Sequence, residues 1–386
     1  MIRFLTAGES HGKGLVVLLE GFPAQIPIAA EMINSELARR QKGYGRGGRM
    51  AIEKDEVEII SGVRKGLTLG SPIALFVKNK DYSNWEKIMS PEPQKFEKGN
   101  PLLRPRPGHA DLSGGLKYNQ RDLRNILERA SARETTVRVA AGAVAKKFLS
   151  CFGIQIQSHV VRLGSSNTTL RKFSFNRLNT QADASPVRML DKKAAQKAMD
   201  LIDVAQKKGD TLGGVFELVA TGVPAGLGSH VQWDRKLDGR LAQSLMSLQA
   251  VKGVEVGNGF ENSAKLGSEV HDEIAYRKPF GFYHRTNRAG GIEGGMSNGE
   301  PIVLRVAKKP IATLRKPLRS VDINSKKELK AAYERSDTCA LPAASVIGEA
   351  LTAWVLADAF LEKMGGDFMG EIQERYKNYI RHLQRY

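Results

Sequence analysis

Five short segments of this chain combine residue types that do chemistry with spacings that hold them close. The first is Gly8-Glu9-Ser10-His11-Gly12, where a serine and a histidine stand side by side between glycines. It satisfies the G-x-S-x-G pattern of a hydrolase nucleophile elbow, but an elbow runs from a strand into a helix. Here Leu15-Val16-Val17-Leu18-Leu19 before Gly21-Phe22-Pro23 reads as a second strand, so the segment is a hairpin loop that presents a histidine. Gly8, Gly12, Lys13 and Gly14 also imitate a phosphate loop, with the spacing one residue short and Gly14 in place of the hydroxyl residue. His11 is therefore either a proton-transfer group or a residue that caps a turn.

The second segment, Arg39-Arg40-Gln41-Lys42-Gly43-Tyr44-Gly45-Arg46-Gly47-Gly48-Arg49, is dense in cations and glycines and has no acid. Gly43, Gly45 and Gly48 fit G-x-G-x-x-G, yet a helix pattern precedes them, the reverse of a dinucleotide fingerprint. Glycines that let backbone amides approach an anion, with guanidiniums to close on it, suit a phosphate or carboxylate. In the third, Arg104-Pro105-Arg106-Pro107-Gly108-His109-Ala110-Asp111, the Pro-Gly turn sets His109 two residues from a carboxylate that could orient it for acid–base work. A surface turn has the same spacing. The fourth is Arg129-Ala130-Ser131-Ala132-Arg133-Glu134, where arginines four apart on a helix would share a face and meet one anion. The last is C-terminal and Gly-rich: Ala289 to Gly299, then Lys308-Lys309-Pro310-Ile311-Ala312-Thr313, then Glu334-Arg335-Ser336-Asp337-Thr338-Cys339. No H-x-x-x-H or paired-cysteine spacing suggests a metal.

The elements that must position these groups are legible as patterns. Strands are expected near 2–7, 14–20, 56–61, 72–78, 154–162, 214–222, 251–256 and 301–307. Helices are expected at Ala30–Gln41, Arg121–Phe152, Arg235–Gln249, Ala343–Met364 and Gly370–Arg385, with Leu123, Ile126, Leu127 and Ala130 on one face of the second. This interleaving predicts a mixed α/β or α+β chain with helices packed on sheets. A helix feeds a short strand at 140–162 and again at 238–257, which admits an internal pseudo-duplication, but no linker divides the chain and one large domain over 1–386 is expected.

Composition narrows the partners. Of the 386 residues, 41% are hydrophobic and 26% charged, which excludes disordered and fibrous classes. Lys and Arg exceed Asp and Glu by 18 charges, so polyanionic partners are favoured: nucleic acid, an anionic membrane or a multiply charged small molecule. Two cysteines and an N-terminus without an apolar leader pattern fit a cytoplasmic protein. Ala343–Met364 is apolar, but Glu349, Asp358 and Glu362 would be costly in a bilayer, so it reads as a buried helix and no membrane partner is expected.

Taken together, these segments resemble the chorismate synthase family. G-E-S-H-G from Gly8, R-R-Q-K-G-Y-G-R-G from Arg39, R-P-G-H-A-D from Arg106, S-A-R-E-T from Ser131, A-V-K-G-V-E-x-G from Ala250, A-G-G-I-x-G-G-x-S-x-G from Ala289, K-P at Lys309 and R-S-D-T-C from Arg335 occur in the family's order. Two departures stand out: Ser336 where some members have histidine, and Ile311-Ala312-Thr313 where others have T-S. The resemblance implies a β-α-β sandwich of antiparallel-rich sheets, assembled as a homotetramer. It implies the anti-1,4-elimination of phosphate from 5-enolpyruvylshikimate 3-phosphate, with reduced FMN and without net redox change. It implies His11, His109 and Asp337 as catalytic residues. Arg129, Ala130, Ser131, Gln249, Ala250, Gly294, Lys309, Pro310, Ile311, Ala312, Thr313 and Arg335 would surround FMN. Ser10, Arg40, Arg46, Arg49 and Arg133 would bind substrate, or NADPH where the protein reduces its own flavin rather than relying on an external flavin reductase. Substrate and FMN together carry roughly six negative charges, which gives the basic balance a reading without nucleic acid. The alternatives are a nucleic-acid-binding protein and a flavin oxidoreductase with net hydride transfer.

Overall fold

Two antiparallel sheets carry the architecture, the first with strands whose burial alternates residue by residue and the second with central strands buried on both faces. In the computed structural model, which describes residues 1–47, 54–93, 101–168, 174–279, 281–334 and 336–386, the first sheet contains β1 (Arg3–Ala7), β2 (Gly14–Glu20), β3 (Val57–Ser61) and β4 (Ile73–Lys78) in the order β1-β2-β4-β3. Leu15, Val17 and Leu19 of β2 and Ile73, Leu75 and Val77 of β4 are buried, while Leu18, Glu20 and Lys78 face outward, as a two-residue period requires. The second sheet contains β5 (Gln155–Leu163), β6 (Ser166–Asn167), β7 (Gly214–Thr221), β8 (Val251–Val256) and β9 (Ile302–Lys308) in the order β8-β9-β7-β5-β6.

Two of the helices, Thr135–Ser150 and Leu341–Met364, fill the space between the sheets. Helix α1 (Ala30–Gln41) precedes the Gly/Arg block, α2 (Arg124–Ala130) and α3 (Thr135–Ser150) follow one another, and α4 (Lys192–Lys208), α5 (Leu237–Met246), α6 (Leu341–Met364) and α7 (Met369–Arg385) complete the set used below. Helix α3 lies on β2 and β4, α6 lies on β5 and β7, and the two helices pack on each other. The result is a β-α-β sandwich. Its tightest crossing is at Gly142 of α3, where an added Cβ would stand 2.2 Å from the Cβ of Ala350 and 2.4 Å from its Cα. Only glycine permits that approach.

Helix α6 is the one helix among the described residues long and apolar enough to span a bilayer, and almost all of it is buried in the sandwich. Glu349 at its middle is fully buried among cations from neighbouring elements. Arg39 Nη1 donates to it at 2.8 Å, Lys146 Nζ at 2.8 Å, Ser158 Oγ at 2.6 Å and Arg188 Nη2 at 3.2 Å. Arg39 also pairs with Glu36 and Asp183, Lys146 with Glu36, and Arg188 with Asp183, so three cations meet three carboxylates where α1, α3, α6 and β5 converge. Burial would push the Glu349 carboxyl up, but Lys146 and Arg39 hold it well below the usual carboxylate range.

Two expectations are corrected. The single helix expected over Arg121–Phe152 is broken: α2 ends at Ala130, Ser131 is extended at ψ 140, and a short 3₁₀ turn over Ala132–Glu134 leads into α3. Ser131 caps that turn by accepting from the Arg133 N–H at 3.3 Å, a bond available only where the helix stops. Helix α4 was not expected from the sequence, because its buried stripe is mostly alanine, Ala194, Ala195, Ala198 and Ala205, with Ile202 as the one large residue.

Candidate active site

The expected hairpin loop between β1 and β2 forms, and three devices fix it. Gly8 has φ +105°, and a Cβ there would stand 2.3 Å from the Gly14 carbonyl oxygen, so the loop closes only on glycine. Asn79, buried just after β4, donates through Nδ2 to the carbonyls of Glu9 at 3.1 Å and Gly12 at 2.8 Å. Glu128 of α2 accepts the His11 backbone N–H at 2.8 Å and lies 2.9 Å from His11 Nδ1. The imidazole stacks on Trp85 with centroids 3.9 Å apart. Ser10 is buried, and Ser131 Oγ donates to its hydroxyl at 3.2 Å.

Behind this loop lies a buried cationic pair. Arg133 donates through Nε to Asn79 Oδ1 at 3.0 Å and through Nη1 to Asp55 Oδ1 at 2.5 Å. Arg40 reaches the same carboxylate at 3.4 Å, together with Thr135 Oγ1 at 3.1 Å and the Ala132 carbonyl at 3.2 Å. Burial lowers the Arg40 pKa to about 10, with Asp55 opposing and Arg133 and Arg46 reinforcing the drop. Arg40 remains charged at neutral pH. The expectation that Arg129 and Arg133 share a helix face is corrected by the break at Ser131. Arg129 instead donates to the carbonyls of Thr6 at 2.9 Å and Gly8 at 3.2 Å, bracing the hairpin.

The remaining candidates converge from the C-terminal half. Arg46 Nη1 pairs with Asp337 Oδ2 at 2.9 Å, and Asp337 Oδ1 accepts the Gly47 N–H at 2.7 Å. These residues line an open polar cleft together with Thr211, Thr313, Arg315 and Ser336. Ser336 Oγ donates to the Thr313 carbonyl at 2.9 Å, and Thr313 Oγ1 accepts from Arg106 at 2.8 Å. Arg106 also bonds Asp111, whose Oδ1 is 2.6 Å from His109 Nδ1, so the Pro-Gly turn delivers the His109–Asp111 pair anticipated from its spacing. Burial acts to raise the Asp111 carboxyl, but hydrogen bonds from His109 and Arg106 hold it well below the usual range. Lys309 Nζ donates to the Gly108 carbonyl at 2.6 Å and its N–H to the Ala250 carbonyl at 2.9 Å. Gln249 Nε2 donates to Glu134 at 2.6 Å. Pro310, Ile311 and Ala312 run between Lys309 and Thr313 at the cleft, Gly294 sits exposed on the Gly-rich turn, and Arg49 and Arg335 lie outside the described residues.

Segments far apart in the chain thus meet around one region. The chorismate synthase family model matches residues 2–361. The chain is 57% identical to a chorismate synthase of Aquifex aeolicus over 99% of its own length and 98% of the relative's. It is 58% identical to one of Moorella thermoacetica over the full length of both. A solved crystal structure of chorismate synthase superposes with a TM-score of 0.81 at 48% identity, covering 100% of this chain and 99% of the other. The chain belongs to the chorismate synthase family. Its activity is that of the family, a carbon–oxygen lyase reaction that releases phosphate and forms chorismate at the end of the shikimate pathway, and the family's chemistry uses reduced flavin.

Three residues at this candidate site were not anticipated. Asp55 holds Arg40 and Arg133 together, Asn79 ties Arg133 to the His11 loop, and Glu128 binds His11 itself. Asp55 follows a run of like-looking charged residues, Glu53-Lys54, and Asn79 lies between lysines, so neither carried a local signal. Glu128 sits beside Leu127 on a helix whose apolar stripe hides it. Among the described residues, no group of His, Cys, Asp and Glu side chains is placed to hold a metal ion.

Proposed function

We propose that the substrate is 5-enolpyruvylshikimate 3-phosphate, bound with reduced FMN, and that the reaction is its anti-1,4-elimination. The observation that carries this reading is the crowding of guanidiniums from Arg40, Arg46 and Arg133 on the two carboxylates of Asp55 and Asp337. One positive charge is left over there before Lys309 is counted, Arg106 being offset by Asp111. Such a surplus suits a ligand that brings a phosphate and two carboxylates.

The residues fit FMN. Gln249 Oε1 is buried with no partner, an acceptor suited to a ligand N–H, and its neighbour Ala250 accepts from Lys309. Arg129, Ala130, Ser131, Gln249, Ala250, Gly294 and Lys309 to Thr313, with Arg335, would hold the group, which when bound supplies electron density to the breaking allylic C–O bond. The chain's own groups do the rest. His11 protonates the leaving phosphate, His109, oriented by Asp111, governs a proton at the flavin, and Asp337 assists removal of the C6 hydrogen. Ser10, Arg40, Arg46, Arg49 and Arg133 bind substrate anions. Where the flavin is reduced in place, NADPH competes for Arg40 and Arg46; otherwise an external flavin reductase supplies it. We further read the chain as one domain, homotetrameric and cytoplasmic.

The test is an anaerobic assay that follows chorismate and phosphate with pre-reduced FMN, oxidised FMN, or NADPH plus oxidised FMN. Many products per pre-reduced flavin are expected. Product with oxidised FMN alone, or none with folded protein and pre-reduced FMN, would overturn the reading.

A further inference from the structure

The His11 loop rests on a carboxylate for which the elimination itself has no use. Glu128 is 2% exposed, and both of its oxygens face His11, with Arg124 also reaching one of them. Oε1 lies 2.9 Å and Oε2 3.1 Å from Nδ1, and Oε2 also accepts the His11 backbone N–H at 2.8 Å. The Glu128 carbonyl accepts the Ser10 N–H at 3.1 Å, so backbone and ring are docked on one residue. Trp85 covers a face of the imidazole with planes 27° apart, and its indole N–H donates to Asp81 at 3.1 Å. Arg124 lies 5.1 Å from the Trp85 ring and reaches Glu128 at 3.4 Å and Glu334 at 3.3 Å. Rotation of the ring is thus opposed in plane by the carboxylate and out of plane by the indole.

An ionised carboxylate is an acceptor only, so the ring nitrogen that faces it must carry a proton. Burial tends to raise the Glu128 carboxyl, but the hydrogen bonds and charge of His11, and then Arg124, hold it below the ordinary range, which keeps it ionised at neutral pH. We infer that Glu128 is the positioning residue of the proton donor: it keeps a proton on His11 Nδ1, so that exchange with the leaving phosphate runs through Nε2. This rests on the reading of His11 as general acid. In the step, the C3–O bond breaks with its electron pair passing to the phosphate oxygen, while the C6 hydrogen leaves, overall as a proton, on the side assigned to Asp337 and its bonding pair becomes part of the new diene. The Nε2 proton moves to the phosphate, and His11 is left neutral with its Nδ1 proton still shared with Glu128. The carboxylate gains no proton, so its work is tautomer and orientation, as for the aspartate of a serine-protease triad.

Glu128→Gln is the discriminating change. The amide offers one acceptor and one donor where the carboxylate receives two N–H groups, so either the backbone bond is lost or the amide donates to Nδ1 and selects the other tautomer. We would measure single-turnover elimination with pre-reduced FMN, steady-state KM, and side-chain ¹⁵N spectra of ¹⁵N-histidine protein, with the His11 signals assigned by their loss in His11→Ala. The expected result is a rate about 10²-fold lower or more at saturating substrate, with KM within about threefold and the His11 signals moved away from the Nδ1-protonated form. Glu128→Asp keeps the charge one methylene further back and should recover at least about tenfold of that loss, which a folding defect would not explain. A Glu128→Gln rate within about threefold of the parent beside a crippled His11→Ala, or unmoved His11 signals, would sink the inference. Normal turnover in His11→Ala would instead remove the proton-donor reading, and this inference with it.

Discussion

Asp55 is the residue on which the anion site balances. Its two oxygens separate Arg40 and Arg133, all three side chains being buried. Asp55→Ala leaves two like charges facing each other without water, and breaking a buried pair in this way costs about 3–5 kcal/mol. We expect the urea midpoint to fall accordingly, with substrate KM raised because the guanidiniums turn away; an unchanged midpoint would mean that the cations are solvated. Asp337 differs, since it is partly exposed at the cleft and holds Arg46 and the Gly47 N–H. Asp337→Asn preserves the amide bond and should bind ligands while turnover stalls, which equilibrium binding and a rate measurement separate. At this scale the sequence was informative where chemistry is local. His109 and Asp111 stand two apart, and a Pro-Gly turn must bring them together. The side chains of Asp55, Asn79 and Glu128 act on residues between 15 and 117 positions away, and no spacing rule reaches across such a distance.

At the scale of elements, strand limits followed from short apolar, β-branched runs bounded by turn residues, whether a strand buries one face, as β2 does, or both, as β5 and β7 do. β2 at Gly14–Glu20 and β8 at Val251–Val256 begin and end where the pattern does. The helices were legible only where large apolar residues mark the stripe. An alanine stripe made α4 silent, and the break between α2 and α3 lay hidden because Ala130, Ser131 and Ala132 suit a helix as well as a turn. That break has a function, since a continuous helix would carry Arg129 and Arg133 to the same side and leave Asn79 without its guanidinium. The contact of α3 with α6 makes the sharpest element-level prediction. Gly142→Ala sets a methyl into the Ala350 backbone, so the two helices must part, at a cost of about 1–3 kcal/mol. Thermal unfolding should show the loss, while Gly239→Ala, on a helix position where an added Cβ meets nothing within 4 Å, should show none.

For the molecule as a whole, carboxylates held low in the folded state set the response to acid. Asp111, Glu128, Glu217 and Glu349 all titrate below their ordinary values once folded. Such groups bind protons more readily unfolded, so the stability they contribute is complete above roughly pH 5 and is lost as pH falls through about 4 and below. Thermal midpoints should therefore stay flat near neutrality and drop steeply under about pH 4; a midpoint that held to pH 3 would contradict the depressed values. Arg39 and Arg40 give the fold a further consequence. They are consecutive on the last turn of α1 and reach different partners, Arg39 the ionic cluster around Glu349 and Arg40 the Asp55–Arg133 cluster. Buried ion clusters often tolerate, in stability terms, replacement by apolar side chains of similar volume. An engineer seeking heat tolerance would choose this one first. Here the swap would free the last turn of α1 to rotate, so a hardier protein would emerge with Arg40, which we propose binds a substrate anion, out of register, and screening by melting temperature alone would keep it.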